Sequence, residues 1–345
     1  MNQIAALFPS LIVSVLASIA GISGQAAVIG ALTPPVPKQL PPPLEYRENS
    51  PKYPYIDPLI AVETDQRYYT QYDNLDMALN FFITAAKKTH KADSVSVYVR
   101  DENSGAWTGV NEDVLYEPSS MLKVPVMISY IRYATTLAAE SSTTVQSVLA
   151  QQLYFTGTDI SGVNYPPENI VPAGMYSAQD LIDMMIKDSD NVAAETLLAA
   201  VPDEFRSVFD DFHLPQAATS TIGSDFMTAR SYAIIFRSLY NASYLSQKQS
   251  SQALELLTQT SFDKGIVAGV PAGTAVAHKF GEHTNLLYNK LPVDRELHDC
   301  GIVYYPKHPY LLCVMTKGQS FTDLEGVISN ISAKTWDYVS RQYPM

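Results

Sequence analysis

The sequence predicts an α+β fold in which an antiparallel sheet is formed from both chain ends, is flanked by helices and holds a large all-helical insert. Three observations predict it. A helix and a β-hairpin come early in the folded part, a second hairpin and a long helix close it, and residues 119–260 consist of helical patterns and loops. Hydrophobic residues make up 46% of the chain and charged residues 17%, which is enough for a sizeable core.

The N-terminal segment, residues 1–33, predicts a membrane anchor or a signal peptide. No charged side chain occurs before residue 38, and residues 10–32 are almost all apolar or small. A helix that crosses a bilayer needs roughly 20 such residues. A cleaved signal peptide has a basic start, which is absent here, although residues 24–26 offer a cleavage site. We favour an uncleaved anchor, and either alternative exports the rest of the chain.

Residues 34–73 predict a proline-rich spacer. Nine prolines between residues 34 and 58 force an extended backbone and exclude a packed helix. The segment is therefore expected to be a stiff connection between a membrane and the domain at residues 74–345. After Tyr53, an irregular strap that folds against the domain is an equal alternative, because apolar side chains occur there.

The first helix is predicted from residue 74, where Asn74 can cap the first turn. Its apolar positions recur at helical spacing: Leu75, Leu79, Phe82 and Ala86. Val95, Val97 and Val99 then alternate with other residues, which predicts a half-buried strand, and a turn at residues 103–105 leads to its hairpin partner.

The C-terminal part predicts a hairpin and a final helix. Residues 299–305 and 310–316 form the two strands, and the helix runs from Thr322 to about Tyr338. Within the insert, helices are predicted to open at polar capping residues: Ser177, Thr228 and Ser246. A sheet with contributions from both chain ends follows.

Charge and ligand patterns exclude several function classes. The net charge of −12, without a basic stripe, argues against a nucleic-acid partner. The sequence has no C-x-x-C or H-E-x-x-H pattern, so it indicates no metal site and no cofactor. Cys300 and Cys313 lie opposite or diagonal to each other in the C-terminal hairpin. Export would permit a disulfide between them, and two buried free thiols are an equal alternative.

Three short motifs carry chemistry: Ser-Met-Leu-Lys at 120–123, Ser-Asp-Asn at 189–191 and Lys-Phe-Gly at 279–281. Residues three apart in a helix share a face, so Ser120 and Lys123 place a hydroxyl beside an amine that can take its proton. Ser119 has no lysine three residues later, and we expect it to be a helix cap.

The order of these motifs resembles the S-x-x-K, S-D-N and K-T-G signature of class A β-lactamases and penicillin-binding proteins. The resemblance extends from about residue 74 to residue 343. It implies the same fold and an acylated serine, with Ser120 as the nucleophile and Lys123 as its base or proton relay. Ser189 would pass the proton to the leaving nitrogen.

The same resemblance implies a set of substrate-binding residues: Asn191, Lys279, Gly281 and Glu282. Asn191 would hold the substrate's amide, while Asp190 braces its loop. Lys279 would supply positive charge from an edge strand, and Gly281 permits close backbone approach. The backbone N–H groups of Ser120 and Glu282 would form an oxyanion hole, which stabilises the tetrahedral intermediate.

Two departures from the family pattern limit what the resemblance implies. The family's Glu-x-x-Leu-Asn loop, whose glutamate activates the hydrolytic water, has no match between residues 191 and 279. Glu195 comes nearest but lies in a predicted helix, so fast deacylation is not expected. In the third motif, Phe280 lacks the hydroxyl that binds a substrate carboxylate. Thr284 and Arg295 are weak candidates to replace it.

The histidines beside the third motif, His278 and His283, are expected to be structural or exposed. The sequence thus predicts an exported, membrane-tethered serine hydrolase that forms an acyl-enzyme on Ser120 with β-lactams or cell-wall peptides. A slow-turnover penicillin-binding D,D-peptidase is one alternative. A non-catalytic module that binds peptidoglycan stems or a protein partner is another.

Overall fold

The computed structural model describes residues 45–48, 51–62, 72–167, 169–215, 225–286 and 292–344. Its strands are β1 Glu45–Arg47, β2 Leu59–Val62, β3 Ser94–Asp101, β4 Trp107–Val110, β5 Leu115–Tyr116, β6 Gln152–Phe155, β7 Gly174–Ser177, β8 Met227–Thr228, β9 Val276–Leu286, β10 Pro292–Val303 and β11 Tyr310–Gly318. Its α-helices are α1 Asp73–Lys88, α2 Lys123–Glu140, α3 Val145–Leu149, α4 Ala178–Lys187, α5 Asn191–Ala200, α6 Pro202–Asp211, α7 Ala229–Tyr240, α8 Gln247–Leu257 and α9 Phe321–Gln342.

The main sheet joins both ends of the domain. Its strand order is β4-β3-β11-β10-β9, and every neighbouring pair is antiparallel. Helices α1 and α9 cover one face of the sheet, and α7 covers the other. The predicted α+β fold, with its two hairpins and closing helix, is confirmed.

Strand β3 differs from the prediction of a half-buried strand, because both of its faces are buried. Val97 packs toward α1 and α9, whereas Ser96 and Tyr98 point to the other face and are also buried. Helix α7 contacts β3 on that side, which removes the solvent-exposed face.

Three of the predicted helix starts are confirmed and one cap is wrong. Ser177, Thr228 and Ser246 each accept a hydrogen bond from the backbone N–H three residues later, as N-caps do. Helix α1 instead begins at Asp73 with Tyr72 as its N-cap and no side-chain capping bond, so Asn74 lies inside the helix.

The insert forms a second lobe beside the sheet and is mainly helical, but the prediction that it is all-helical is wrong, because β6 pairs with β7 and β8 pairs with β5. Helix α2 is central to it, because it contacts α3, α4, α5 and α6. One hydrophobic cluster runs from this helical lobe to the α7 side of the sheet, and a second cluster fills the opposite side beneath α1 and α9. The insert contacts the sheet through α7 on one face and, at edge strand β9, through α8 and residues 119–122; the third motif lies on β9.

Part of the predicted spacer packs against the domain. The hairpin of β1 and β2 is anchored through Asp57, whose N–H donates to the Tyr240 carbonyl at 3.0 Å, and through Tyr304, whose hydroxyl donates to the Tyr55 carbonyl at 2.9 Å. Ile56 is buried in the helical-lobe cluster. The strap alternative after Tyr53 agrees with this packing, but the segment begins earlier, at β1, and forms a regular hairpin instead of an irregular strap.

The predicted anchor at residues 10–32 lies outside the described residues. Within the described part of the chain, no helix combines the length and apolar character that a bilayer crossing requires.

The two cysteines form a disulfide. Cys300 and Cys313 are direct register partners on β10 and β11, so the predicted opposite placement is correct. Both are fully buried, and the bond joins the neighbouring strands β10 and β11 on the α7 side of the sheet.

Candidate active site

The first motif forms a tight turn at the start of α2, which we call the nucleophile turn. Residues Ser119–Leu122 are 3₁₀-helical, and α2 continues directly from Lys123. Side chains three apart eclipse each other in a 3₁₀-helix. Ser120 Oγ therefore lies 2.7 Å from Lys123 Nζ, close enough for direct proton transfer between hydroxyl and amine.

Lys123 is buried in a polar pocket formed by the second motif. Its Nζ donates to the Ser189 carbonyl at 2.7 Å, to Ser189 Oγ at 3.1 Å and to Asn191 Oδ1 at 2.6 Å. Burial lowers the pKa of Lys123 to about 7, despite opposing negative charges at Asp190 and Glu282. A large fraction of this amine is therefore neutral near neutral pH and can act as a base.

Ser189 connects the end of α4 to the start of α5 in an uncommon backbone conformation. Its φ is 57°, a left-handed value that costs a residue other than glycine on the order of 1–3 kcal/mol. The following Asp190 caps α5 by accepting the Ala193 N–H at 2.8 Å, as predicted for a residue that braces the loop. The helix start thus holds Ser189 in place against the local strain.

A second lysine reaches Ser189 from the other lobe. Lys279 on edge strand β9 donates from Nζ to Ser189 Oγ at 2.9 Å and is fully buried. Burial, and then the nearby charge of Lys123, lower the pKa of Lys279 well below its usual value. Two amines therefore meet at one hydroxyl, which can pass a proton between them.

Gly281 lets β9 contact the nucleophile turn. A Cβ atom at this position would lie 2.5 Å from the Pro118 carbonyl oxygen and 2.9 Å from Met121 Cγ, so only glycine fits. Beside it, Ser119 Oγ donates to the Glu282 carbonyl at 2.5 Å. Ser119 has a φ of 51° and makes no helix-capping bond, so its predicted role as a cap is wrong.

The nucleophile turn is also supported from behind by β10. The Glu117 N–H donates to Glu296 Oε2 at 3.1 Å, and the Glu117 carbonyl accepts from His298 Nε2 at 3.0 Å. Because His298 Nδ1 accepts the Thr316 N–H at 3.1 Å, the ring carries its proton on Nε2. Two fully buried side chains thus fix the residue three positions before Ser120.

A sequence model described as the beta-lactamase enzyme family matches residues 78–339. The chain belongs to this family. The family and the fold support a serine hydrolase of the β-lactamase or penicillin-binding type. No curated protein sequence matches the chain.

Solved structures of this family share the fold at low sequence identity. PBP-A matches with 18% identity and a TM-score of 0.61, over 77% of this chain and 97% of its own. The TLA-3 extended-spectrum β-lactamase matches with 19% identity and a TM-score of 0.62, over 76% and 99%. A β-lactamase from Chitinophaga pinensis matches with 17% identity and a TM-score of 0.61, over 77% and 99%.

All the predicted site residues converge on one cavity of about 730 Å³. Five of them line it: Ser120, Lys123, Ser189, Asn191 and Glu282. The other two stand behind its wall, where Lys279 contacts Ser189 and Gly281 contacts the nucleophile turn. Among the described residues, no cluster of metal-ligating side chains occurs.

The remaining candidate residues differ in position. Glu195 lies on α5, is exposed and lines the cavity. Thr284 and His283 also line it, whereas Arg295 donates to the Gln319 carbonyl at 2.5 Å and does not. His278 is structural, because it is buried and pairs with Asp299 at 2.8 Å.

Sequence reasoning missed the loop at residues 156–167, which we call the crossing loop. It leaves the helical lobe after β6 and reaches the far side of β9. There, Glu282 accepts the N–H groups of Asn164 and Tyr165 at 2.9 and 3.0 Å and the Asn164 side-chain amide at 2.6 Å. No motif marks these residues; the consecutive prolines 166 and 167 indicate a loop but not its docking site.

We predict that Gly281→Ala abolishes acylation of Ser120 by displacing β9 from the nucleophile turn. The new methyl group would overlap the Pro118 carbonyl, and relief requires movement of the strand that carries Lys279. The rate of covalent labelling by an acylating probe measures the effect. Gly326→Ala is the matched control, since its Cβ would meet no atom within 4 Å. Wild-type labelling in Gly281→Ala would contradict the steric argument.

We predict that the acylation rate rises with pH and levels off above about pH 7. The reactive form of Lys123 is the neutral amine, and burial brings its pKa to about 7. Below that value the rate should change about tenfold per pH unit, because the neutral fraction does. Single-turnover acylation by an uncharged probe measures this profile. A midpoint near the ordinary lysine pKa would show that Lys123 is charged in the free enzyme.

Proposed function

We propose that this protein is a serine hydrolase that forms an acyl-enzyme on Ser120 with β-lactams or related cell-wall peptide amides. The observation that carries the proposal is the 2.7 Å contact between Ser120 Oγ and a buried Lys123 amine. A serine hydroxyl is a weak nucleophile at its free pKa, and an adjacent base activates it.

The proton path follows from the hydrogen bonds. Ser120 Oγ attacks the carbonyl carbon while its proton moves to Lys123 Nζ. Lys123 and Lys279 both contact Ser189 Oγ, at 3.1 and 2.9 Å, so Ser189 can receive a proton and give up its own. That proton goes to the leaving nitrogen as the carbon–nitrogen bond breaks. The product is an ester on Ser120, with the amine freed or, in a β-lactam, still attached.

Stabilisation of the oxyanion is assigned to the backbone N–H groups of Ser120 and Glu282. The support for this assignment is the close packing of β9 on the nucleophile turn, which brings these two residues to the same wall of the cavity. Each such donor contributes about 3–4 kcal/mol to transition-state stabilisation in related chemistry.

Hydrolysis of the acyl-enzyme is proposed to be slow. The chain has no Glu-x-x-Leu-Asn sequence between the second and third motifs, and the acidic cavity residue nearest to that pattern, Glu195, is an exposed residue of α5. A mutant of PBP-A has been solved as an acyl-enzyme complex with penicillin G. We expect a similarly observable covalent species here.

Incubation of the full-length chain with benzylpenicillin should give a covalent adduct detectable by intact mass. The adduct should be absent in Ser120→Ala and should still form in Ser119→Ala, which removes the neighbouring hydroxyl and its bond to the Glu282 carbonyl but leaves the nucleophile in place. It should persist after excess penicillin is removed. Adduct on Ser120→Ala would assign another nucleophile, and no adduct with any acylating probe would favour a non-catalytic binding module. Rapid loss of the adduct would reveal a deacylating base.

We also propose that the domain works outside the cytoplasm, tethered by residues 10–32 or secreted after their cleavage. The support is the uncharged N-terminal run and the Cys300–Cys313 disulfide, a bond typical of oxidising compartments. An alkaline phosphatase reporter, which is active only after export, should be active when fused after residue 345. Deletion of residues 10–32 should abolish that activity. An inactive full-length fusion that accumulates in cells would contradict export.

A further inference from the structure

In the third motif, Phe280 occupies the position at which the family pattern has a hydroxyl side chain. Phe280 is buried in the hydrophobic cluster beneath α1 and α9, lines the cavity, and has its ring centroid 4.2 Å from Lys279 Nζ. Its ring stacks on Phe262 with a centroid distance of 4.3 Å and meets the Tyr165 ring edge-on at 5.7 Å. Phe280 therefore holds the crossing loop on the sheet and offers no polar group to a ligand.

The hydrogen-bond donors of the crossing loop are already occupied by an internal carboxylate. Glu282 accepts both backbone N–H groups of Asn164 and Tyr165, together with the Asn164 amide. The Tyr165 hydroxyl donates to Glu325 on α9 at 2.7 Å. At this end of the cavity, donors that could bind an anionic substrate group instead bind side chains of the protein.

The amines of Lys123 and Lys279 already make the hydrogen bonds of the proposed proton path. Lys279 has no exposed surface, and its amine contacts Ser189 Oγ, the neighbouring Phe280 carbonyl and the Phe280 ring, whose centroid is 4.2 Å from Nζ. Lys123 contacts Ser120, Ser189 and Asn191. Among the described residues that line the cavity, Lys123 is the only lysine, and no arginine is present.

The cavity wall instead carries negative charge. Three glutamates line it: Glu117, Glu195 and Glu282. Of these, Glu195 is exposed at the surface of α5 and contributes its charge without holding a structural element. A carboxylate that enters the cavity would meet these three like charges, whereas Lys123 and His283 are the only described lining residues that can carry positive charge, and this imbalance disfavours its binding.

We propose that the site selects acyl donors whose leaving-group side is neutral or positively charged and disfavours a carboxylate there. Phe280 and Glu282 are the residues that determine this specificity. Phe280 places an aromatic ring where the family pattern has a hydroxyl, and Glu282 occupies the N–H groups of the crossing loop that could otherwise bind a carboxylate. The inference rests on the proposed acylation of Ser120 and names the substrate class of that site.

The test compares three forms of one β-lactam on the full-length chain: benzylpenicillin, its methyl ester and its choline ester. The scaffold and the reacting lactam bond stay the same while the charge changes from negative to neutral to positive. Intact mass separates the reactions, since lactam opening adds the whole molecule and attack on the ester loses the alcohol. Each acylation rate is divided by the rate at which alkali opens the lactam ring of the same compound. This division corrects for differences in the intrinsic reactivity of the three lactams.

We expect both esters to acylate Ser120 at least about tenfold faster than the free acid after this correction, a factor that corresponds to ~1.4 kcal/mol. Added salt should raise the rate with the free acid and leave the methyl ester unchanged, because salt screens repulsion between like charges. Equal rates, or faster reaction of the free acid, would overturn the inference.

Glu195→Gln removes one negative charge from the cavity. It should reduce the ratio of the corrected acylation rate with the methyl ester to that with the free acid. Glu140→Gln at the exposed end of α2 makes the same charge change away from the cavity and should leave the ratio unchanged. Any effect of the substitution on the reactivity of Lys123 changes both rates by the same factor and therefore cancels in this ratio. Equal ratios in both variants would overturn the electrostatic part of the proposal.

A neutral fluorophosphonate separates this inference from the proposed function. If the probe labels the wild-type protein on Ser120 and does not label the Ser120→Ala variant, the nucleophile is competent. In that case, failure of both esters to acylate Ser120 by lactam opening overturns the proposed substrate class. If neither the fluorophosphonate nor any lactam labels Ser120, the acyl-serine reaction fails and the specificity falls with it.

Discussion

Two buried lysine amines that share one serine hydroxyl are the constraint on which the site depends. Lys123 comes from the helical lobe and Lys279 from the sheet, and both contact Ser189 Oγ. Two ammonium ions cannot be buried this close without strong repulsion, so at least one amine is driven toward its neutral form. Contact along β9 brings the two amines together, and burial is the main cause that lowers the pKa of each.

That contact needs support on both sides. Gly281 allows the strand to reach the nucleophile turn from the front, and His298 with Glu296 holds the backbone of Glu117 from behind. The strained Ser189 is fixed by the start of α5. The geometry of the candidate site is thus specified by backbone contacts and buried polar groups as much as by the motif side chains.

Much of this was readable from the sequence because it depends on local pattern. Periodicity and capping residues predicted the hairpins and most helix starts, and the i, i+3 spacing placed Ser120 beside Lys123. The exposed face predicted for β3 was wrong because α7 covers it, and the cap predicted at Asn74 was wrong because α1 begins one residue earlier, at Asp73. The crossing loop could not be foreseen, since Glu282 and Asn164 are 118 residues apart and match no motif.

The crossing loop, which lines part of the cavity, is held in place by an aromatic cluster that belongs to the hydrophobic core. Tyr165 packs against Phe262, Phe280 and Phe321, and the last three belong to the hydrophobic layer between the sheet and α9. To lift this loop is to hydrate part of that layer. Displacement of this loop from the sheet would therefore be a local unfolding event, and its frequency would rise with temperature as local stability falls.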